Sequence, residues 1–335
     1  MSSTITITQE TLNLRGYGGT IENVKHLTPF SVDTPVEKLR ARFNEDGVLW
    51  VKGLLNRDTV KKFRGDYLSF VDQGSEMLKP NTDPVEGIFS GNDWRNYVLP
   101  GAVRLAMGLE DEGPFVENSV KSHVAPWYID FKDQVAKEME SFVGKLFNFE
   151  DPWCLPRSLL RSSVPGSEGT PVHYDQIYLR AGPPTSVTAW VPVGDIEVKG
   201  GGLIYLHKSH DIGRKYEEDF SKLSESFSDE EKISAVNRNM NKGGWLDRDS
   251  TQFGKNWGRD WLVGGYEAGD VVFHHPYTIH ASAINESAKD HIRVSTDLRF
   301  VDKSKPFDQR WTITAFSDED PNLARKLPKK MGKDA

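Results

Sequence analysis

The chain of 335 residues contains a single cysteine, Cys154. One thiol can close neither an internal disulfide nor a cysteine-based zinc site. Within Asp151-Pro-Trp-Cys154-Leu-Pro156 it reads as a small buried hydrophobe in a reducing compartment. Long apolar runs are missing as well, so no membrane span is expected. The opening Met1-Ser-Ser-Thr-Ile-Thr-Ile-Thr8 lacks the basic and apolar regions of a signal peptide, and the closing Gly332-Lys-Asp-Ala335 is neither a retention nor a peroxisomal address. The expected location is therefore cytoplasmic. Nor is there an excess of basic charge: 42 Lys and Arg against 49 Asp and Glu leave a formal net charge of −7, with the two signs interleaved. No field exists to gather phosphates, which argues against a nucleic-acid partner. Internal repeats are also absent.

What is present changes texture near Pro152. Before it, alternating Thr and Ile followed by a Gly-rich stretch to residue 35 predict an edge strand and loop. The spacing of Val36, Leu39 and Phe43 predicts a helix over 36–46, ended by Gly47. Val48–Val51 reads as a buried strand. Asp58 is placed to N-cap a helix reaching about Val71, with Val60, Phe63, Tyr67 and Phe70 as its apolar stripe. Residues 72–125 read as loop with short elements that wall a pocket. The strongest helical stretch covers 128–147, with Phe131, Val135, Met139 and Phe142 on one side.

After Pro152 the pattern becomes short strands separated by Gly and Pro turns: Leu159-Leu160, Val172–Asp175, Val187–Val191, Leu203–Leu206, Val271–Phe273 and Ile292–Val301. That texture indicates a sandwich or barrel. Residues 211–268 interrupt it. Ser228–Glu231 resembles a capping box, Gly243-Gly244 closes the helix it opens, and Trp245, Trp257 and Trp261 follow. An insertion of this length reads either as a lid or as a surface decoration with its own aromatic cluster. Beyond Asp302, Trp311-Thr-Ile-Thr314 is a candidate strand and the Lys/Pro-rich end is expected to fray.

The chemistry centres on Val172-His173-Tyr174-Asp175. In an extended strand His173 and Asp175 project from one face, and an imidazole beside a carboxylate is two thirds of the facial triad that holds Fe(II) with open coordination positions. A lone H-x-D pair is common by chance. The third ligand should be a histidine on a later antiparallel strand, with His280 the candidate and His274 and His275 its competitors. In the strand Ile292–Val301, Arg293, Ser295, Asp297 and Arg299 share one face. An inward-facing arginine in a barrel is costly without an anionic partner. A dicarboxylate cosubstrate would supply one, through paired hydrogen bonds to Arg293 with Ser295 adding another.

Four stretches carry a more specific resemblance. Phe43-Asn-Glu-Asp-Gly47-Val-Leu-Trp-Val-Lys-Gly-Leu-Leu55, Gly169-Thr-Pro-Val-His173-Tyr-Asp175, Trp190-Val-Pro-Val193 with Gly202-Leu-Ile-Tyr-Leu-His-Lys-Ser-His210, and Gly269-Asp-Val-Val-Phe-His-His-Pro-Tyr-Thr-Ile-His280-Ala-Ser282 with Asn285 and Arg293 occur in that order. Their text is similar to the phytanoyl-CoA dioxygenase-like family of iron(II)/2-oxoglutarate dioxygenases, and spans most of the chain outside 211–268. Two features depart from it: His207-Lys208-Ser209-His210 replaces a Pro-Gly-Ser-His turn, and the interval from His280 to Arg293 is somewhat longer than is common. Either Arg293 or Arg299 can therefore be the carboxylate clamp, with the Arg-x-Ser pattern favouring Arg293.

The resemblance implies a mainly β fold with flanking helices, a double-stranded β-helix (jelly roll, cupin-like barrel) with N-terminal helices packed on one sheet and a lid insertion. It implies one domain over 1–335: support over 1–150, a jelly-roll core over 151–301 with the lid at 211–268, and a tail over 302–335. It assigns His173, Asp175 and His280 to Fe(II), and makes 2-oxoglutarate and O2 cosubstrates. Arg293, Ser295, Thr170 and Trp190 are the residues expected at the cosubstrate. His275 is then structural, and His210 braces a turn. His26, His123, His207 and His291 carry no pattern. Arg157, Arg161 and Arg180 flank the metal strand, as a solvated rim or as a substrate anchor.

The expected reaction oxidises an unactivated C–H bond of a small molecule, an amino-acid derivative or natural-product intermediate, by hydroxylation, desaturation or oxidative cyclisation. With Asp175 as carboxylate ligand, halogenation is not expected. Two alternatives use the same ligands, a cupin-like isomerase or binding module without oxygen chemistry, and a zinc hydrolase. The insertion also admits a homodimer in which one subunit lends the other its lid.

Overall fold

Two sheets face each other, and the apolar side chains sort into three layers around them. The computed structural model describes residues 12–110, 112–234 and 244–321. The Thr/Ile stretch before Leu12, Gly243 and the Lys/Pro-rich tail from residue 322 lie outside the described residues.

In chain order, a hairpin of β1 (Leu14–Gly16) and β2 (Gly19–Ile21) precedes β3 (Val24–His26) and β4 (Pro29–Ser31). Then come α1 (Val36–Asp46), β5 (Val48–Lys52), α2 (Arg57–Asp72), α3 (Ala102–Ala106), α4 (Pro114–Ser122) and α5 (Pro126–Phe147). β6 (Pro152–Cys154), β7 (Leu159–Ser163), β8 (Val187–Pro192) and β9 (Leu203–Leu206) lead to α6 (His210–Leu223), α7 (Asp229–Ile233) and α8 (Ser250–Trp257). β10 (Trp261–Val263), β11 (Val271–His274), β12 (His280–Ser282) and β13 (Arg293–Asp302) complete the order.

The larger sheet runs β4-β5-β11-β8-β13-β6, with β7 also on β13; the smaller runs β12-β9-β10-β3. His173 adds to the edge of β12 through a bridge to His280. From β7 onward the chain therefore passes between the sheets as a jelly roll: β7, β8, β11 and β13 in one, the His173 bridge, β9, β10 and β12 in the other.

Period-two alternation sorts the residues of each strand. Trp190, Val272 and Trp50 point between the sheets, where they meet Tyr205, Leu262 and Tyr266. Ala189, Val191, Val294 and Leu298 point outward onto Phe63, Phe131, Val135 and Met139 of α2 and α5. Behind the smaller sheet, Ile204, Leu206 and Val263 pack with Leu14, Ile212 and Phe253. All residues of β8 and β13 are buried.

Helix α1 ends as its sequence requires. Gly47 adopts a left-handed conformation (φ 72°) and its N–H caps Phe43 O. A Cβ there would fall 2.6 Å from both His210 Nδ1 and Thr278 Oγ1, so the same glycine lets the helix end lie against the segment before His280. Helix α2 is capped two residues earlier than the sequence suggests, by Asn56 accepting from Thr59 N at 2.9 Å, and Asp58 lies inside its first turn. Both are good capping residues, so the choice is made by where the chain leaves β5.

The short elements expected within residues 72–125 include α3 and α4, the latter with Pro114 at its first turn. Three further expectations are corrected. The insertion ends earlier than residue 268, because Trp261–Val263 is β10, paired with β9 and β3. Trp311 lies in a 3-10 turn (Gln309–Thr312), not a strand. The arginines flanking the metal segment are not a solvated rim: Arg180 is bound to Glu217 of α6 at 2.7 Å, Arg161 to Asp297 at 3.1 Å and Arg157 to Asp320 at 3.1 Å. The capping box at Ser228 and Glu231 does form, opening α7.

One buried cation ties helix to sheet. Arg64 of α2 donates to Val193 O (3.0 Å), Ile292 O (2.8 Å), Val85 O (2.7 Å) and Glu86 O (3.2 Å). It thereby fixes the residues immediately before β13. Arg64→Leu strips four carbonyls of a donor, and buried acceptors left unpaired cost about 1–3 kcal/mol each. Urea unfolding is expected to show a loss of at least ~2 kcal/mol, and an unchanged midpoint would contradict the tie.

Candidate metal centre

The residues expected on one regular strand reach the site differently. Val172 and His173 make single bridges, to Asp247 and His280, and Asp175 opens a 3-10 turn (Asp175–Tyr178). Tyr174 between them is extended (φ −134°, ψ 151°), so the reversal of side-chain direction survives without a strand. His173 N donates to His280 O at 3.0 Å and His280 N to His173 O at 2.8 Å. The result is that His173, Asp175 and His280, all buried, bring one ligand atom each within 4.8 Å of one another.

The imidazoles are set in the ligating form. His173 Nδ1 donates to Pro171 O at 2.8 Å and His280 Nδ1 to Thr278 O at 3.0 Å. A carbonyl only accepts, so each Nδ1 carries the proton and each Nε2 keeps its lone pair for a metal. Burial pulls both histidines below the usual range; for His280 the neighbouring His173 and His274 reinforce this, and it lies well below. For Asp175, burial alone would raise the carboxyl. The Arg299 guanidinium and the bond and charge of His274 outweigh it and hold the acid ionised, well below its usual value. Two neutral imidazoles and one carboxylate form the donor set of a facial triad.

Around the triad, the second-row contacts come from the larger sheet. Thr188 of β8 donates its hydroxyl to Asp175 Oδ2. His274 Nε2 of β11 lies 3.2 Å from the same oxygen, and Arg299 Nη2 lies 3.1 Å from Oδ1. His274 competed with His280 in the sequence. The structure puts it behind the carboxylate instead. His275 turns away to pack near His210 (5.9 Å between ring centroids), and its burial brings it down to about 3. His123 Nε2 accepts from Leu160 N at 3.0 Å and so braces β7, while His207 lies 3.5 Å from Asp46.

Arg293 starts β13, 5% exposed, with Nε on Gly201 O (3.0 Å) and Nη1 on Ser295 Oγ (2.9 Å). Burial lowers it to about 10. Among the described residues no carboxylate lies within ion-pair distance of it. Trp190 is fully buried against Tyr266, and its Nε1 has no partner among the described residues; neither has the buried hydroxyl of Tyr205. Thr170 enters through its backbone, N to Ser282 Oγ at 2.6 Å. An uncompensated guanidinium and two unpartnered donors on the inner face fit a ligand that carries acceptors. Tyr205 and Ser282 were not singled out in the sequence. Ser282 lies two residues past His280 on the same face, a period that could have marked it. Tyr205 is placed only by its pairing with His280 across β9 and β12.

A jelly roll holding two imidazoles and a carboxylate defines the class of non-haem iron oxygenases. A family model described as phytanoyl-CoA dioxygenase (PhyH) matches residues 43–294, and the chain belongs to that family. It is thus an iron(II)- and 2-oxoglutarate-dependent dioxygenase with O2 as cosubstrate. No curated protein matches the chain. Among solved structures, the non-haem α-ketoglutarate-dependent carbocyclase SnoK from nogalamycin biosynthesis is 17% identical with a TM-score of 0.51, over 90% of this chain and 95% of that one. AviO1 from Streptomyces viridochromogenes Tue57 is 14% identical (TM-score 0.49, 81% and 97% covered). The epimerase SnoN, solved with Fe3+, α-ketoglutarate and nogalamycin RO, is 20% identical (TM-score 0.45, 80% and 83% covered). At these identities the likeness is one of fold. Among the described residues no helix is long and apolar enough to cross a membrane.

The histidine environments set a pH dependence. In the unfolded chain these groups titrate near 6.5, whereas folded His173, His275 and His280 resist protonation. Below pH 6.5 the unfolded state therefore binds more protons and stability falls with pH, by up to about 1.4 kcal/mol per pH unit for each histidine. Asp175, held below 3.8, contributes nothing to this window, since its stabilisation is lost only at lower pH. Urea midpoints of the metal-free protein at pH 7.5 and 5.5 should show the fall; equal midpoints would contradict the burial.

Proposed function

We propose that the chain oxidises an unactivated C–H bond of a small molecule, with hydroxylation as the default outcome and succinate and CO2 as coproducts. His173, Asp175 and His280 are the proposed Fe(II) ligands. Arg293, with Ser295, is the proposed grip on the distal carboxylate of 2-oxoglutarate, and Trp190 and Thr170 line the same space. The observation that carries this reading is the convergence of the three side chains from distant parts of the sequence. Arg293 supports it independently, as a buried cation with no ion-pair partner among the described residues.

Fe(II), which His173, Asp175 and His280 would hold, would supply the coupling of 2-oxo acid decarboxylation to O2 activation. The chain's own residues do the rest. His173 and His280 present unprotonated Nε2 atoms because their Nδ1 protons are taken by Pro171 O and Thr278 O. Arg293 offers Nη2, the guanidinium nitrogen not engaged by Gly201 or Ser295, to an incoming carboxylate. Trp190, Tyr205 and Val272 keep bulk water from the inner face.

The substrate class follows from charge. Arg157, Arg161 and Arg180, which flank the metal segment, are each paired with a carboxylate, so these three do not form a basic stripe for the phosphates of a coenzyme A thioester. An amino-acid derivative or natural-product intermediate suits the site better. Whether oxidation ends in hydroxylation, desaturation or ring closure depends on how the substrate is held, not on the ligands.

Purified protein given Fe(II), ascorbate and 2-oxoglutarate should release succinate slowly without substrate. Asp175→Ala should lower that rate at least about 100-fold by weakening iron binding. Arg293→Ala should raise the KM for 2-oxoglutarate at least about tenfold, the value of one lost charged hydrogen bond, with iron affinity unchanged. Turnover with Zn(II) under anaerobic conditions, or none that depends on iron, would overturn the reading.

A further inference from the structure

Asp175 is held more tightly than ligation requires. A carboxylate has two oxygens and about four lone-pair sites. Oδ2 accepts from the Thr188 hydroxyl and faces His274 Nε2 at 3.2 Å, so both of its sites are engaged. Oδ1 takes Arg299 Nη2 at 3.1 Å and lies 3.9 Å from His280 Nε2. One lone pair is left, on Oδ1.

The three holding residues form a single row. Thr188 pairs in register with Arg299 on one side and with His274 on the other. Three adjacent strands of the larger sheet thus aim three donors at one carboxylate, and strand register fixes their spacing. Arg299 differs from Arg64, another buried cation of the fold. Arg64 satisfies four carbonyls, whereas Arg299 leaves Nε and Nη1 without any partner among the described residues. Its guanidinium lies over the Trp311 ring at 4.4 Å and is 3% exposed. Among the described residues its side chain bonds no backbone carbonyl, and its ion pair there is with Asp175.

We propose that Arg299 is a positioning residue of the metal centre: with Thr188 and His274 it restricts Asp175 to one-oxygen ligation through Oδ1. To bring Oδ2 to the metal as well, the carboxylate would have to break its bonds to Thr188 and His274 and rotate out of the Arg299 contact. A chelating 2-oxo acid and O2 together need three open positions, and a two-oxygen carboxylate would occupy one of them. The inference rests on the function proposed above. It also separates two arginines that share one strand face: Arg293 serves the cosubstrate and Arg299 the ligand.

The test uses the full chain, loaded anaerobically with Co(II) as a spectroscopic stand-in, in wild type, Arg299→Gln, Arg299→Lys and Thr188→Val. Arg299→Gln should weaken Co(II) binding roughly 10–100-fold, the usual effect of losing a partner behind a metal ligand. It should also alter the visible ligand-field spectrum on addition of 2-oxoglutarate, which reports coordination number. Arg299→Lys should recover part of both. Thr188→Val, nearly isosteric, leaves Oδ2 held by His274 alone and should shift the same spectrum; if Arg299→Gln does not fold, this variant decides. Wild-type affinity and spectrum in the folded variants would overturn the inference alone. Failure of the wild type to bind Co(II) would overturn the functional reading and this inference with it.

Discussion

Two backbone hydrogen bonds between His173 and His280 set the distance on which the site depends. They join segments more than a hundred residues apart and do so at the two ligand positions themselves. Side-chain flexibility therefore has little say in how far apart the imidazoles stand, and the carbonyls of Pro171 and Thr278 fix how they are turned. Everything else in the centre adds a third point to a pair already positioned by main chain.

The charges inside the fold are ordered by the same sheet. Along the inner face of β13, Arg293 has no ion-pair partner among the described residues, Asp297 is matched by Arg161 from β7, and Arg299 is matched by Asp175. Burying charges is costly unless each finds its partner. The strand thus opens on a cation unmatched among the described residues and carries two matched charges further along. Stability and ligand selection are, on this strand, the same electrostatic question.

Much of this was legible in the residues. The period-two spacing of His173 and Asp175, the later His280, and the polar face of β13 are local patterns, and local patterns survive without coordinates. The strand they implied at 172–175 does not form as a strand, because Asp175 turns into a 3-10 segment; the reversal at Tyr174 was the part that mattered. What the text could not show are cross-strand neighbours. Thr188, His274 and Tyr205 owe their roles to register between strands far apart in sequence. Trp311 looked like a strand residue by composition, yet it covers Arg299 from a turn. Helix α4 was expected only as an unplaced short element, for a local reason: Gly113 and Pro114 read as a loop, although proline is well suited to a helix's first turn.

The segment between β9 and β10 enters and leaves through strands that pair directly, Leu206 against Trp261. Its base is thus closed like that of a hairpin, however much chain lies beyond. Closing a longer loop on such a base costs only logarithmically more. Residues can therefore be added to or removed from this segment while β9 and β10 keep their register, and β12, which pairs with β9 and carries His280, keeps its place.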